Sequence, residues 1–480
     1  MSKSLTLLQI NDTHAYLDLH PELFWTARGA DYRPAGGYGR LAALVRQVGQ
    51  ERPGRVLVFD GGDTIHGTYP AVQTKGQALV PILQAMDMNG MTAHWDFAYG
   101  PQRLHEVARQ LPYPMLAANA YDKTTGERPF PATTACEMGG LRVGVVGLAA
   151  TIVDKTMPPH FSEGLRLTLG NEELPGEIAR LREQEGADLI VVITHLGYAQ
   201  DLKLAGEVSG IDVLLSAHTH NRVRRPAKVG ETLVIQSGCH GSFLGRLDLE
   251  VENGRVVDYR HELRVVGPEI EPDPGVQALV DEALAPHRQE LSQVVGHTTT
   301  GLNRNTVLEA TMDNLLLQAL LEATGAEVAF SNGWRYGAPI PPGPITLNDL
   351  WNIIPVNPPV SVTTMTGDEM WTMIEENLEH TFARDPYEQM GGYVKRALGI
   401  KAYVKLENPA GERLQELFVA GKPLERDGSY RAAFVTEQGV PQKYGTDRQK
   451  LDVDAITALR RYLRAHDPAE AELRGTVVVV

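Results

Sequence analysis

The sequence predicts a layered α/β protein with two domains. Its 480 residues exceed the length at which a single hydrophobic core keeps growing, so two domains are expected. Short apolar runs alternate with helical patterns in the first part of the chain, as is typical of layered α/β domains. Polar residues follow several of these runs, and open α/β sheets bind their ligands at such strand ends.

Strands are predicted where branched and aromatic residues form short runs between turn residues. These runs cover residues 5–10, 55–59, 114–118, 141–148, 188–193, 211–215, 232–236 and 245–251. Helical spacing of apolar residues predicts helices at 37–50, 76–86, 101–110 and 172–184. A proline suits the first turn of a helix, so Pro274 indicates a connecting helix that ends near residue 294. The chain then closes with a predicted helix at 453–465 and a strand at 476–480.

Composition excludes several classes of protein. A net charge of −15 argues against a nucleic-acid surface, which requires clustered Lys and Arg. No apolar run approaches the ~20 residues needed to cross a bilayer, and residues 1–4 lead directly into the first strand without a secretory leader. A cytoplasmic chain is therefore expected. Cys136 and Cys239 are too few for a cysteine-rich zinc site, and they either fill apolar space or form one disulfide.

Seven residues that could bind metal ions follow successive predicted strands. They are Asp12, His14, Asp63, His94, His195, His218 and His220. One histidine at a strand end usually makes an ordinary hydrogen bond, and an Asp-x-His pair alone is a weak signal. Together, however, the seven offer imidazole and carboxylate ligands that suit Mn, Fe, Zn or Ni better than Mg or Ca. Two ions that share a bridging carboxylate account for this number and recur in enzymes that hydrolyse tetrahedral oxyanions.

The motifs around these residues resemble those of the metallophosphoesterases, and among them the 5′-nucleotidase family. The matching motifs are Asn-Asp-Thr-His at 11–14, Gly-Gly-Asp-Thr at 61–64, Thr-His at 194–195 and Ala-His-Thr-His at 217–220. The resemblance covers nearly the whole chain. It implies a four-layer α/β/β/α metallophosphoesterase domain at 1–270, a linker helix at 271–295 and a smaller α/β substrate-binding C-terminal domain at 296–480.

The resemblance also assigns roles to the seven residues. It implies that Asp12, His14, Asp63 and His220 bind the first ion and that Asp63 bridges to the second. The ligands that complete the second ion's site would then be His94, His195 and His218. Both ions are expected to be Mn, with Zn or Fe as alternatives.

One motif departs from the 5′-nucleotidase pattern, Gly-Asn-His-Glu-Phe-Asp-Tyr-Gly. At 93–100 this chain has His94 in place of the asparagine ligand, Trp95 in place of the catalytic histidine and Ala98 in place of the aspartate that orients it. This variant is similar to the sulfate thiohydrolase (thiosulfohydrolase) of the bacterial Sox sulfur-oxidation system. Residues 64–67, 331–337 and 385–392 also match that branch.

Other features separate the chain from both groups. The Gly-Gly-Asp loop with aromatic neighbours, which nucleotidases use to bind the base, is replaced by residues 434–439. The thiohydrolase branch is exported and carries an insertion between the first two metal motifs, and this chain lacks both features. A cytoplasmic relative whose substrate differs from the carrier-bound thiosulfonate is therefore one of the expected alternatives.

The predicted function is a two-metal hydrolase that releases sulfate from a thiosulfonate-type substrate by attack of a metal-activated hydroxide. The alternatives are a 5′-nucleotidase or 2′,3′-cyclic-nucleotide phosphodiesterase, and an inactive protein that binds metal or anions. The expected protein is a monomer. Its partner would be a small anionic substrate or a carrier protein that bears a thiosulfonate, without nucleic acid or membrane.

Residues outside the metal motifs are predicted to contact the substrate. Arg335 falls where the resemblance implies an anion-binding arginine, and it is predicted to be catalytic together with Trp95. Trp334 and Tyr387 either line the substrate pocket or fill the domain interface. His66 and His240 either face the substrate or make ordinary loop hydrogen bonds. If Cys239 and His240 lie on a strand, their side chains point to opposite faces.

Overall fold

The structure is a computed structural model that describes residues 2–480. The chain divides into two compact units. The first contains the residues up to His20 and Pro34–Pro286, and the second contains Pro21–Arg33 and His287–Val480. None of the described helices is long and apolar enough to cross a membrane.

The elements up to Pro286 are strands interspersed with helices. They are β1 (Lys3–Ile10), β2 (His20–Thr26), β3 (Gly29–Ala35), α1 (Tyr38–Glu51), β4 (Val56–Asp60), α2 (Tyr69–Gln73), α3 (Val80–Gln84), β5 (Gly90–Met91), α4 (Pro101–Ala108), β6 (Ala120–Asp122), β7 (Thr133–Met138), β8 (Leu141–Leu148), β9 (Leu165–Leu167), α5 (Glu173–Ala179), β10 (Leu189–Thr194), α6 (Tyr198–Glu207), β11 (Val213–Leu215), β12 (Ala227–Val229), β13 (Thr232–Ile235), β14 (Phe243–Glu252), β15 (Arg255–Val265) and α7 (Pro274–Leu284). A short 3₁₀ helix at Trp95–Tyr99 follows β5, and a π turn at Arg180–Gln184 continues α5.

Two sheets form the centre of the first unit. The first sheet has the strand order β15-β14-β1-β4-β5, and β1, β4 and β5 run parallel. The second sheet has the order β12-β13-β11-β10-β8-β7, and its four inner strands run parallel. The carboxyl ends of the parallel strands in each sheet therefore lie at one edge.

Side chains from both sheets form a single core. Leu5, Leu7, Leu57 and Phe59 of the first sheet pack in the same cluster as alternate residues of β8, β10 and β11. The intervening residues of those strands pack in a second cluster, which also contains residues of α5 and α6. This period of two places the second sheet between the first sheet and a helical layer. With α1 in contact with β4 of the first sheet, the layers are α/β/β/α, as predicted.

The second unit contains most of β2 and β3 together with the remaining elements. They are α8 (Arg288–Leu291), β16 (Val294–Thr298), α9 (Thr311–Thr324), β17 (Val328–Ser331), β18 (Gly343–Thr346), α10 (Leu347–Ile353), β19 (Pro359–Thr366), α11 (Gly367–Phe382), β20 (Arg396–Leu398), β21 (Ile400–Val404), β22 (Leu414–Val419), β23 (Lys422–Pro423), β24 (Ser429–Phe434), α12 (Thr436–Gly439), β25 (Thr446–Asp454), α13 (Ala455–Ala465) and β26 (Val477–Val479). Its largest sheet has the order β20-β17-β24-β19-β25, and a four-stranded sheet has the order β23-β22-β21-β26.

Helix α11 shows how the sequence sets the start of a helix in this unit. Thr366 accepts a hydrogen bond from the amide of Glu369, whose carboxylate accepts one from the amide of Thr366. This capping box satisfies two amides that the helix leaves without partners. The buried face of α11 includes Met370, Ile374 and Leu378, which pack in one cluster with residues of both sheets.

Some predicted elements differ from the structure. Residues 114–118 form no strand, and among the described residues only a single bridge joins Met115 to Met91. The connecting helix predicted to end near residue 294 is interrupted, because α7 ends at Leu284, α8 follows and β16 begins at Val294. The hairpin of β2 and β3 was not predicted, since its exposed residues lack a clear alternation of apolar and polar side chains. No disulfide joins Cys136 and Cys239.

Candidate metal centre

The seven predicted metal ligands lie in the loops that follow parallel strands of the first unit. Asp12 and His14 follow β1, Asp63 follows β4 and His94 follows β5. His195 directly follows β10, and His218 and His220 follow β11. Because these strands end at the same edges of the two facing sheets, their loops converge.

The seven side chains form two groups that share one carboxylate. The groups are Asp12, His14, Asp63 and His220, and Asp63, His94, His195 and His218; within each, the ligand atoms lie within 4.8 Å of one another. Asp63 Oδ2 lies 3.6 Å from His14 Nε2 and 3.3 Å from His195 Nε2, so it faces both groups. Asp12 Oδ1 lies 3.3 Å from His220 Nε2.

These spacings fit metal coordination. Ligands bound at about 2.0–2.1 Å in a tetrahedral or octahedral shell stand roughly 2.8–3.4 Å apart. The closest ligand atoms of the first group agree with this, since His14 Nε2 and His220 Nε2 are 3.2 Å apart. The donor set of two carboxylates and five imidazoles suits first-row transition ions. The two groups could therefore hold two divalent ions with Asp63 between them.

Hydrogen bonds from neighbouring groups orient the ligands. His195 Nδ1 lies 2.6 Å from the carbonyl oxygen of Gly61, which fixes the tautomer and directs Nε2 toward the carboxylates. Asn11 donates from its amide to Asp12 Oδ2 at 2.6 Å. The backbone amide of Trp95 donates to Asp63 Oδ1 at 2.6 Å. These contacts leave the ligand atoms preorganised toward one another.

The backbone at the ligands adopts an uncommon conformation. Asp12, His14, Asp63, His218 and His220 all have positive φ angles, between 47° and 75°. Such left-handed conformations cost roughly 1–2 kcal/mol for residues with a Cβ and cluster at functional sites. Backbone hydrogen bonds from Asp12 to Gly62 and from His14 to Asp63 hold the β1 and β4 loops together.

Gly62 shows how closely the loops approach each other. Its φ is 91°, and a Cβ at this position would lie 2.8 Å from the carbonyl oxygen of Thr92. It would also lie 3.1 Å from His195 Nδ1. A side chain here would push apart the loops that hold Asp63 and His195, which explains the glycine in this motif.

Two further buried carboxylates stabilise these loops, and sequence analysis missed both. Asp96 accepts hydrogen bonds from the backbone amides of Asp63, Thr64, Ile65 and His94 at 2.9–3.2 Å. Asp60 accepts from the amide of Gly62 and from the hydroxyl of Thr64, at 2.9 and 2.7 Å. Both occur as acidic residues in otherwise apolar runs, and that pattern could have identified them.

The ligand carboxylates dominate the electrostatics of the metal centre. Burial alone would raise the pKa of Asp63, but His94, His195 and His14 outweigh it and hold this pKa well below its usual value. Burial opposes the charged form of His195, yet Asp63 and Asp12 raise its pKa to about 10. At His14 burial prevails and lowers the pKa to about 3. The centre therefore attracts positive charge, as a cation site requires.

Trp95 lies beside the carboxylate of Asp63, which the two groups share. Its indole is stacked on the His66 ring, with centroids 4.9 Å apart and an interplanar angle of 23°. Phe161 packs edge-on against it at 5.5 Å. Burial lowers the pKa of His66 to about 4, so this imidazole is neutral at pH 7. The indole of Trp95 is therefore packed against aromatic and imidazole rings.

The residues predicted to bind substrate are divided between the units. His240 lies in the first unit, and its ring is 5.9 Å from that of His220. Arg335, Trp334 and Tyr387 lie in the second. Arg335 donates to the carbonyl oxygen of Gly392 at 2.7 Å, and its guanidinium lies over the Tyr393 ring.

The two aromatic candidates differ in burial. Trp334 is buried in the second unit, where it is stacked on Tyr336 and lies beneath the guanidinium of Arg304. Tyr387 is half-buried in a 3₁₀ turn that begins after Asp385. The Asp385 carboxylate accepts a hydrogen bond from the backbone amide of Tyr387. Trp334 thus contributes to the packing of the segment that carries Arg335.

Comparison with known proteins gives consistent results for both units. Residues 294–436 match the family model of the 5′-nucleotidase C-terminal domain. Among solved structures, the sulfate thiohydrolase SoxB of Thermus thermophilus in complex with glycerol aligns with a TM-score of 0.91 and 27% identity, over 99% of this chain and 96% of that chain. A 5′-nucleotidase precursor, also from Thermus thermophilus, aligns with a TM-score of 0.86 and 25% identity, over 99% of both chains.

A curated relative extends the comparison by sequence. The trifunctional nucleotide phosphoesterase protein YfkN of Bacillus subtilis is 25% identical over 89% of this chain. The alignment spans only 31% of the length of that relative. The similarity therefore concerns one part of a longer phosphoesterase.

Proposed function

We propose that this chain, whose residues 294–436 match the 5′-nucleotidase C-terminal domain and whose fold is similar to those of a sulfate thiohydrolase and a 5′-nucleotidase, is a dinuclear metal hydrolase that releases sulfate from thiosulfonates. The substrate would be a small anion or a thiosulfonate carried by a protein. Mn is the proposed metal, with Zn or Fe as alternatives.

The side chain at position 95 is the observation that carries this proposal. An ester expels an alkoxide, which benefits from a general acid by about 10²–10⁴-fold. The indole of Trp95 cannot serve as that acid, and the adjacent His66 is neutral at pH 7 because burial lowers its pKa to about 4. A thiosulfonate expels a sulfur anion that is stable without a proton. The absence of a general acid at position 95 therefore favours a sulfur leaving group.

The residues of the first unit would act by binding, orientation and exclusion of water. Two divalent ions, when bound, would supply Lewis acidity and a nucleophile derived from water. Asp63 would hold both ions, while the amide of Trp95 keeps its carboxylate in place. Trp95 and Phe161 would keep the site dry, which strengthens electrostatic interactions with an oxyanion.

Arg335 is proposed to bind the anionic group of the substrate. Its planar guanidinium presents donors in a fork that matches paired oxyanion oxygens, and lysine does not reproduce this geometry. Arg335→Lys should reduce kcat/KM by about 10²-fold, equivalent to the ~3 kcal/mol of a charge-assisted hydrogen bond. Elemental analysis should find unchanged metal content. Kinetics within twofold of wild type would remove Arg335 from the substrate site.

The substrate preference tests the proposed reaction. The Mn-loaded protein is assayed with a thiosulfonate, p-nitrophenyl phosphate and AMP, and we expect turnover in that order. Trp95→His combined with Ala98→Asp should raise the rate on AMP relative to the thiosulfonate, by up to the ~10²–10⁴-fold that a general acid contributes. Trp371→His, a change of a partly buried tryptophan in the second unit, is the matched control and should leave the ratio unchanged.

A 5′-nucleotidase or 2′,3′-cyclic-nucleotide phosphodiesterase is the second candidate. The similarity to a 5′-nucleotidase precursor over 99% of both chains, and to a nucleotide phosphoesterase by sequence, supports it. Equal or faster hydrolysis of AMP by wild type would favour this function over the thiohydrolase. Absence of turnover on every substrate, with two bound ions, would instead indicate a protein that binds metal or anions without catalysis.

A further inference from the structure

A cysteine and two histidines lie together next to the first group of metal ligands. The ligand atoms of His220, Cys239 and His240 all lie within 4.8 Å of one another. Cys239 Sγ is 3.5 Å from His240 Nδ1, and both residues are buried. The three residues form a donor set of one sulfur and two nitrogens.

The local backbone explains why neighbouring side chains converge. On a strand, Cys239 and His240 would point to opposite faces. Here they lie in a loop where Gly238, His240 and Gly241 have φ angles of 70°, 58° and 67°. This left-handed backbone brings the thiol to the imidazole, contrary to the arrangement expected on a strand.

Hydrogen bonds fix this loop to both neighbouring metal loops. The amide of His240 donates to the carbonyl oxygen of Asp12 at 2.7 Å. The amide of Gly238 donates to the carbonyl oxygen of Asn221, next to His220, at 2.9 Å. The amide of Ser242 donates to the carbonyl oxygen of Cys239 at 3.0 Å. The thiol and the two imidazoles are therefore held in position by the framework of the metal centre.

We propose that Cys239, His240 and His220 form a third metal site, which binds thiophilic ions such as Zn²⁺ or Cd²⁺ and competes with the first group for His220. Thiolate and imidazole ligands select such ions, whereas Mn²⁺ binds N and S ligands more weakly than later first-row ions do. The carboxylate oxygens of Asp12 and Asp63 keep the first group suited to Mn²⁺. Binding releases the thiol proton to solvent.

Because His220 is shared, an ion in the proposed site would affect the first group of metal ligands. His220 Nε2 lies 3.3 Å from Asp12 Oδ1 and 3.2 Å from His14 Nε2, so this imidazole belongs to the first group. A thiophilic ion on Cys239 and His240 would take His220 from that group. Such an ion would therefore displace one of two Mn²⁺ ions. His240 would bind this ion, and this role replaces the substrate contact predicted from sequence.

Titration of the Mn-loaded protein with Cd²⁺ tests the proposed site. Ultraviolet absorption reports the thiolate-to-Cd charge-transfer band, and elemental analysis after gel filtration reports retained Mn. In wild type we expect one thiolate-bound Cd²⁺ and loss of one Mn²⁺ per chain. Cys239→Ser should abolish the band. It should also raise the Cd²⁺ concentration that displaces Mn²⁺ by at least ~10–100-fold, since loss of a residue that only orients a metal ligand already lowers metal affinity by that factor.

Cys136→Ser is the matched control. Cys136 is the other thiol of the chain and lies on β7, so its replacement should leave the band and the displacement unchanged. Mn content of two per chain in Cys239→Ser would show that this variant is folded. A band that survives in Cys239→Ser or vanishes in Cys136→Ser would overturn the site. If the band depends on Cys239 but both Mn²⁺ ions stay bound, the two sites do not compete for His220.

Discussion

The metal-ligand loops of the first unit and the Arg335 segment of the second are held by different interactions. The ligand loops are fixed by backbone hydrogen bonds between neighbouring strand ends, such as His14 to Asp63 at 2.7 Å. The segment with Arg335 is fixed by arginine side chains, since Arg304 donates to the carbonyl oxygens of Tyr336 and Ile353 at 2.9 Å.

A buried ion cluster supports the arginines of the second unit. The Asp313 carboxylate lies 3.1 Å from Arg304 and 3.2 Å from Arg396, and all three side chains are at most 1% exposed. Arg396 and Arg335 both lie over the ring of Tyr393. The first unit therefore places charge by local strand-end geometry, and the second places it through contacts between distant parts of the chain. Mutations should separate these two kinds of support.

Asp63→Asn should give the largest effect, because this carboxylate is shared by both groups of ligands. The change removes a negative charge and one metal-binding oxygen, so we expect loss of both ions and a decrease in kcat of more than about 10³-fold. Elemental analysis and steady-state kinetics measure the two effects. His218→Gln, which affects one group only, should leave one ion bound. Two ions per chain in Asp63→Asn would contradict the bridging position.

Asp313→Asn tests how much the buried ion cluster of Asp313, Arg304 and Arg396 stabilises the second unit. It leaves two buried guanidiniums without a counter-charge, and breaking a buried pair in this way costs about 3–5 kcal/mol. Urea unfolding of the second unit should shift accordingly, while metal content stays the same. Asp349→Asn makes the same chemical change in the capping box of α10 and should cost only about 1 kcal/mol. Equal effects of the two changes would contradict a special role for the cluster.

The contrast between the units also explains what could be predicted from sequence. Strand 141–148 and the ligand loops follow local patterns, namely apolar runs and polar residues at their ends, and the structure places them accordingly. The α/β/β/α fold was predicted correctly. Asp313 was not identified, because its partners are arginines that only the folded chain brings near. The proximity of Cys239 and His240 depends on positive φ angles at Gly238, His240 and Gly241. The two glycines indicate a turn, but the left-handed conformation of His240 could not be predicted.

Asp96→Asn sharpens the comparison within the first unit. The carboxylate accepts four backbone hydrogen bonds from the loops of Asp63 and His94, and an amide cannot accept all of them. Partners of this kind contribute about 10–100-fold to metal affinity, so calorimetric titration with Mn²⁺ should show a loss in that range. Asp122→Asn is the control, because the half-buried Asp122 also accepts hydrogen bonds from backbone amides, those of Thr124 and Thr125. An unchanged affinity in Asp96→Asn would show that the backbone alone positions the ligands.

The smallest expected effect is the change in metal affinity with each unit of pH. Burial opposes charge on His195, but Asp63 and Asp12 raise its pKa to about 10, so a proton occupies this ligand in the metal-free protein at neutral pH. His14, whose pKa burial lowers to about 3, is already neutral there.

Each ion that uses His195 must therefore displace its proton. Between pH 6.5 and about 10 the apparent Mn²⁺ affinity should rise about tenfold per pH unit. The same raised pKa stabilises the metal-free fold below pH 6.5, and that contribution is lost as the pH rises through about 10. Calorimetry in buffers of different ionisation enthalpy would count the protons released. His14→Gln should keep the slope and His195→Gln should abolish it; the reverse would show that the proton resides on His14.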